Sequence, residues 1–357
     1  MITPSGMTPG SASSAQQVTA SPGRHLELDG LRGIAVSAVL LRHYFYVYDV
    51  YFDTGVTTAV RFSRGFYGVH LFFMISGFVI LLTARRATRP RDFVIARGTR
   101  LYPTYWACLT ISWVLIALSG FTYLARSGSE IAVNYSMLQR LLRVREVDGA
   151  YWSLSVELVF YGLIFLVLLV RRGVTDRDVA RLMLGWCAIS AAVGVGSHLN
   201  PDSSLWHAMS IATGAQYAPL FGIGMFGLLD RARGRIGLGS VTCLVMGGAV
   251  TFLYVGVEGA MIVGGLGILF LAVVLRPRVG FLRWRPLLFI GEISYPLYLI
   301  HQNVGYWVIH HLYPAVARDV ASLAAIPVVI LLAWGVHVSI ETTVSRRARR
   351  WLTERFS

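Results

Sequence analysis

From residue 31 onward the chain alternates long apolar stretches with short segments that carry arginine. Ten apolar spans can be marked, at about 31 to 48, 66 to 84, 101 to 120, 151 to 170, 182 to 198, 209 to 229, 237 to 256, 260 to 275, 287 to 311 and 320 to 340. Most approach the roughly 20 residues that a helix rising ~1.5 Å per residue needs to cross ~30 Å of hydrocarbon. The pattern predicts an all-α integral membrane protein with about ten transmembrane helices. Residues 1–25 are rich in Ser, Thr, Pro and Gly and hold no apolar core, which predicts a disordered tail and not a cleaved leader. The rest divides into a transmembrane domain over 26–341 and a basic tail over 342–357, with no appended domain expected.

Composition agrees: 55% of residues are hydrophobic and 14% charged, with a mean hydropathy of +0.60. That balance excludes an ordinary soluble domain. The sequence contains no lysine, so its 32 basic residues are all arginine. If the amino terminus lies in the cytoplasm, Arg61, Arg64, Arg126, Arg140, Arg143, Arg145 and Arg318 fall outside and Arg42 falls within the first span. The remaining arginines fall inside, so the positive-inside rule predicts that both termini are cytoplasmic. The basic charge is thereby assigned to a bilayer partner, in a bacterial cytoplasmic membrane, and no nucleic acid is expected. The long outer segment 121–149 contains SMLQRLLRVRE, which is predicted to lie on the surface as an amphipathic helix. Cys108, Cys187 and Cys243 fall inside spans without metal-ligand spacing and read as packing residues, so no metal is expected.

Ionisable groups at membrane depth are costly and therefore point to function. Arg32 and His43 are eleven residues apart, about three helical turns plus 20°, so both lie on one face of the first span. His43 sits about five residues in from the outer end of its span, and Glu157 about six residues in on the fourth, so the two share a level. A His43–Glu157 contact would orient the imidazole and stabilise its protonated form, as a general base requires. His70 and His301 also lie within spans and read first as structural histidines.

On the cytoplasmic side, Arg97 and Arg100 in RGTR are three apart on one helical face. Guanidinium groups at that spacing suit bidentate phosphate binding. With His43 ~16 Å deeper than Arg32, the arrangement suits a long donor that has a phosphate head and a reactive tip.

The motifs LDGLRGIA with His43, GVHLFFMISGFVI, ARGTRLYP, YWSLSVELVFY and ISYPLYLIH together resemble the membrane acyltransferase-3 family of bacterial O-acyltransferases. The resemblance runs from residue 27 to about 340, in family order. It implies about ten transmembrane helices and transfer of an acyl group, usually acetyl, from cytoplasmic acyl-CoA to a hydroxyl. The implied acceptors are envelope glycans, lipid-linked sugars or glycosylated natural products. The family's Arg and His match Arg32 and His43, its arginine pair matches Arg97 and Arg100, and its glutamate matches Glu157. The resemblance then implies that Arg32, Arg97 and Arg100 hold the CoA phosphates. His43, oriented by Glu157, deprotonates the acceptor or carries the acyl group itself. Ser76, Tyr161 and Tyr295 are candidate oxyanion donors, and His301 is kept as a supporting residue.

GIGMFG at 222–227 spells a dinucleotide-binding pattern, but no strand precedes it, so helix packing is expected. The rival function is a secondary transporter or flippase using the same buried His, Glu and Arg set. The spans show no internal repeat to support it.

Overall fold

The computed structural model describes residues 25–52, 58–121, 124–171, 173–276 and 279–356, and among them every regular element is helical. In chain order the α-helices are α1 Leu26–Arg42, α2 Tyr48–Tyr51, α3 Tyr67–Arg86, α4 Pro90–Ser119, α5 Gly128–Asn134, α6 Trp152–Arg171 and α7 Asp176–Leu199. They continue with α8 Ser204–Thr213, α9 Ala218–Arg233, α10 Leu238–Val255, α11 Val257–Leu275, α12 Arg285–Glu292, α13 Ser294–Leu312, α14 Arg318–Val336 and α15 Ser345–Arg355. The predicted tail over 1–25 lies outside the described residues apart from His25.

Among the described residues seven helical stretches are long and apolar enough to cross a membrane: Ser63–Arg86, Pro90–Ser119, Gly149–Arg171, Asp176–Leu199, Leu238–Val255, Val257–Leu275 and Arg318–Arg355. The other three predicted spans fall on α1, α9 and α13. The first two are short, at 17 and 16 residues. Helix α13 is long enough, but it carries His301, Gln302 and Asn303, all fully or nearly fully buried. A helix enclosed by other helices need not match the apolarity of lipid, because its polar groups find protein partners. Facing outward instead are large apolar side chains such as Val170 on α6 and Leu184 on α7, 76% and 75% exposed, as expected of a surface solvated by hydrocarbon.

Helices α3 and α13 form the interior. Helix α3 packs on α1, α9 and α6, and α13 packs on α14, α4 and α1. The α3–α9 crossing is set by two glycines: a Cβ on Gly224 would lie 1.9 Å from the Met74 carbonyl oxygen, and one on Gly77 would lie 2.1 Å from that of Phe221. Gly222–Gly227 is therefore a packing motif, as expected.

Three local expectations are corrected. The span expected at 209–229 breaks into α8 and α9 at Gly214, whose φ of 55° is left-handed. The span expected at 287–311 breaks at Ile293 into α12 and α13. SMLQRLLRVRE forms turns and no helix, because Met137 and Arg143 take positive φ, while Glu130 in the short α5 draws in Arg145 at 2.7 Å. Within the basic segment 342–357, α15 continues from α14 and lies against α4.

Two π-helical segments interrupt the helices, His43–Val47 after α1 and His337–Val344 after α14. A π turn leaves backbone carbonyls off the regular ladder, and these need other donors. At the first segment Tyr44 O accepts from Arg318 Nη2 (2.8 Å) and Ser322 Oγ (3.1 Å), and Phe45 O accepts from the Phe62 N–H (3.2 Å). Arg318 is itself 3% exposed and paired with Asp49 at 2.9 Å.

Candidate active site

Three linked cavities run through the polar interior. The innermost is a chamber of about 90 Å³ between α1, α3, α4, α6 and α13, with Arg32, Arg97, Arg100, Glu157, Tyr161 and Tyr298 in its walls. At ~30 Å³ per water it admits a thin chain and not a nucleotide. Two wider mouths, of about 430 and 350 Å³, meet it along Val79 and Arg100. Arg32, Arg97 and Arg100 thus converge, as the sequence spacing suggested. Arg32 pairs with Asp29 at 3.2 Å. Arg97, 6% exposed, donates to Val79 O at 2.7 Å and to the Thr83 hydroxyl, and its Nε lacks a partner. Arg100 makes no hydrogen bond or ion pair among the described residues and points its charge at the junction of the cavities.

Glu157 belongs to this arginine group, which corrects the expected contact with His43. Its Oε1 accepts from Tyr161 Oη at 2.6 Å and from Ser76 Oγ at 3.3 Å. The reason is adjacency: α6 packs on α3 and α4, while α1 packs on α3, α12 and α13. Equal depth in the bilayer did not make the two helices neighbours. The hydroxyls of Ser76, Tyr161 and Tyr295, the expected oxyanion donors, are directed at protein acceptors in this arrangement. Ser76 and Tyr161 donate to Glu157, and Tyr295 donates to Leu101 O at 3.0 Å.

His43 meets His301 instead. The two rings are edge to face, with centroids 4.7 Å apart and His43 Nδ1 3.2 Å from His301 Nε2. Backbone carbonyls assign the tautomers. His301 Nδ1 faces Tyr298 O at 2.8 Å and His43 Nδ1 faces Val39 O at 2.9 Å, so both Nδ1 atoms carry hydrogen. His301 Nε2 is then an acceptor, and His43 Nε2 is left with its lone pair.

The segment before α6 holds α13 on both sides of His301. Asp148 accepts from the Asn303 N–H at 3.2 Å, and Tyr298 Oη donates to Ala150 O at 2.9 Å. Burial in this apolar setting raises the Asp148 carboxyl to about 7, against the lowering effect of its two backbone N–H donors. His43 is not in the chamber wall: the lining stops at Tyr298, whose ring centroid lies 5.7 Å from that of His301. His70 sits apart, among Phe66, Tyr67 and Tyr217. Asp148 and His337, which faces both mouths and lies 2.8 Å from Glu341, were not singled out by the sequence. Each lies where a helix begins or bends, a position that apolar periodicity does not mark. No group of three His, Cys, Asp or Glu side chains converges among the described residues.

These features define a multi-pass membrane protein whose interior holds an arginine-lined cleft and, beyond its wall, a pair of facing histidines. Residues 25–339 match the acyltransferase-3 family, described as an acyltransferase domain, and the chain belongs to that family. It is similar to BcsY of Komagataeibacter xylinus, described as a candidate membrane-bound transacylase, with 27% identity over 310 residues, 78% of this chain and 72% of that one. It is also similar to the exopolysaccharide production protein ExoZ of Rhizobium meliloti (strain 1021), with 29% identity over 129 residues, 31% of this chain and 37% of that one. No solved structure matches it.

Proposed function

We propose that the protein is an acyl-CoA-dependent O-acyltransferase of the bacterial cytoplasmic membrane, with ten membrane-crossing helices and both termini inside. It moves an acetyl or similarly short acyl group to a sugar hydroxyl of an envelope polysaccharide or its lipid-linked precursor. The observation that carries this reading is the graded cavity: arginine-rich mouths lead to a chamber too narrow for a nucleotide, and its far wall is one side chain from His43. That shape fits a donor with a phosphorylated head, a thin arm and a reactive tip. BcsY and ExoZ, by their names a transacylase and a polysaccharide-production protein, favour a glycan acceptor.

In this reading Arg32, Arg97 and Arg100 bind the donor phosphates. His43 Nε2 takes the proton of the acceptor hydroxyl as its oxygen attacks the thioester carbonyl. The new C–O bond forms, the C–S bond breaks, and the imidazolium returns its proton to the departing thiolate. Val39 O and His301 Nε2 both face the Nδ1–H of the imidazolium and stabilise its charge.

The test uses membranes containing wild type, His43→Ala or Arg97→Ala, radiolabelled acetyl-CoA and a host glycan extract. Label should enter a base-labile ester with wild type, fail to do so with His43→Ala, and require far more acetyl-CoA with Arg97→Ala. Purified wild type that binds no acetyl-CoA would overturn the reading and favour a transporter.

A further inference from the structure

The C-terminal helix does more than end the fold. Helix α15 carries Arg346 and Arg349 three residues apart on one face, and that face forms a wall of the larger mouth. Across the cavity stand Arg86, Arg97 and Arg100. Five guanidinium groups thus line about 430 Å³, a size within the roughly 300–1,000 Å³ of small-molecule sites.

These charges are only partly offset, because five arginines face two carboxylates in the cavity wall. The two carboxylates of the same cavity are engaged: Asp92 accepts from the Thr88 hydroxyl and the Arg89 N–H, and Glu341 meets His337. Arg86, Arg100, Arg346 and Arg349 form no ion pair among the described residues. Arg85, one residue from Arg86, shows the contrast. It is paired with Asp176, which also holds Arg233 at 2.5 Å, so carboxylates are supplied on this side of the protein where arginines need them. Two polar atoms in the cavity wall, Arg97 Nε and Ser345 Oγ, are buried and lack a partner. Orphaned donors beside partly compensated cations are the mark of a site completed by an anion.

Resting on the acyl-CoA reading above, the geometry points to a second phosphate subsite in which Arg346 and Arg349 of α15, with Arg86, grip a phosphomonoester at the nucleotide end of the donor. Coenzyme A carries two separate anionic groups, a diphosphate beside its pantetheine arm and a 3′-phosphomonoester on its ribose. Arg32, Arg97 and Arg100 stand at the chamber entrance, where the arm and its diphosphate lie. Arg346 and Arg349 stand on the outer wall, where the ribose phosphate lies. That phosphate carries close to two negative charges at neutral pH and suits a fork of guanidinium groups. The shared chemistry of a terminal phosphate also fits an anionic lipid headgroup at the cytoplasmic interface, and the experiment separates the two sources.

Purified protein is placed in nanodiscs of phosphatidylcholine alone or with anionic lipid, and the affinities for CoA and 3′-dephospho-CoA are measured. Wild type should bind 3′-dephospho-CoA about tenfold or more weaker than CoA, the loss expected for charge-assisted hydrogen bonds. The double variant Arg346→Gln/Arg349→Gln should bind both equally and weakly, and Arg346→Lys/Arg349→Lys should restore part of the preference. Arg347→Gln/Arg350→Gln, altered on faces of α15 away from the cavity, should behave as wild type and controls for folding and for loss of surface charge. Equal binding of the two ligands by wild type, or a preference retained in Arg346→Gln/Arg349→Gln, would sink the subsite. A loss that appears only with anionic lipid, and equally for both ligands, would assign the arginines to a headgroup instead. Wild type that binds neither ligand would overturn the acyl-CoA reading itself.

Discussion

His43 Nδ1 stands 3.2 Å from His301 Nε2, although the two residues are 258 positions apart in the chain. His43 thus has a second imidazole and the Val39 carbonyl as neighbours, while the carboxylate expected beside it, Glu157, accepts from Tyr161 and Ser76.

In the proposed mechanism His301 acts on the rate through His43. His301→Ala should lower kcat by up to roughly 100-fold, the scale for misplacing a reacting group by about 1 Å, while the KM for acyl-CoA changes little because His301 lies outside the donor cavities. His43→Ala should lose the general-base contribution, roughly 10²–10⁴-fold. Steady-state kinetics on both variants checks the split, and an effect of His301→Ala confined to KM would refute it.

In the proposed mechanism Glu157 works on the donor side. Glu157→Gln keeps the shape of the chamber and its bonds to Tyr161 and Ser76 but removes a negative charge from the arginine group. The pH dependence of kcat should match wild type, and the change should fall on donor affinity. A displaced pH profile for kcat in this variant would restore Glu157 as the orienting partner of His43.

Arg318 secures the π turn that carries His43. Its guanidinium pairs with Asp49, donates to the Ser322 hydroxyl and Tyr44 O, and lies 4.2 Å from the Tyr48 ring centroid. Arg318→Met leaves a buried carboxylate without its cation, a change on the order of 3–5 kcal/mol. Thermal unfolding in detergent should show the loss, and the paired variant Asp49→Asn/Arg318→Met should recover part of it.

Away from the cavities, Arg145 beside Glu130 holds that carboxyl down at about 2. A depressed carboxylate stabilises the fold above its ordinary value of about 4.3, and that contribution is lost as pH falls toward 2. The contribution is small, because the pair is exposed to solvent. Wild type should exceed Arg145→Gln slightly in melting temperature at pH 6, and the gap should close as pH falls below 4. A gap that widens on acidification would contradict this pairing.

Much of the architecture is written in residue type and spacing. Apolar runs of membrane length determine a helical membrane protein, since no other open structure satisfies backbone groups in hydrocarbon. The spacing of Arg97 and Arg100 places both on one face of α4, and the eleven residues from Arg32 to His43 span the depth between the donor cavity and the base. These are local relations, fixed by helical geometry within one segment. What tertiary structure decided is which helices touch. Glu157 and His43 share a level, yet α6 lies on α3 and α4 while α13 lies beside α1, so His301 and not Glu157 reaches the base. The π turn at His43 depends on donors from Arg318 and Ser322, and the mouth of the cavity depends on α15 lying against α4. Periodicity reports which face of a helix is apolar. It carries no information on which neighbour that face meets, because many helix pairings bury the same apolar surface.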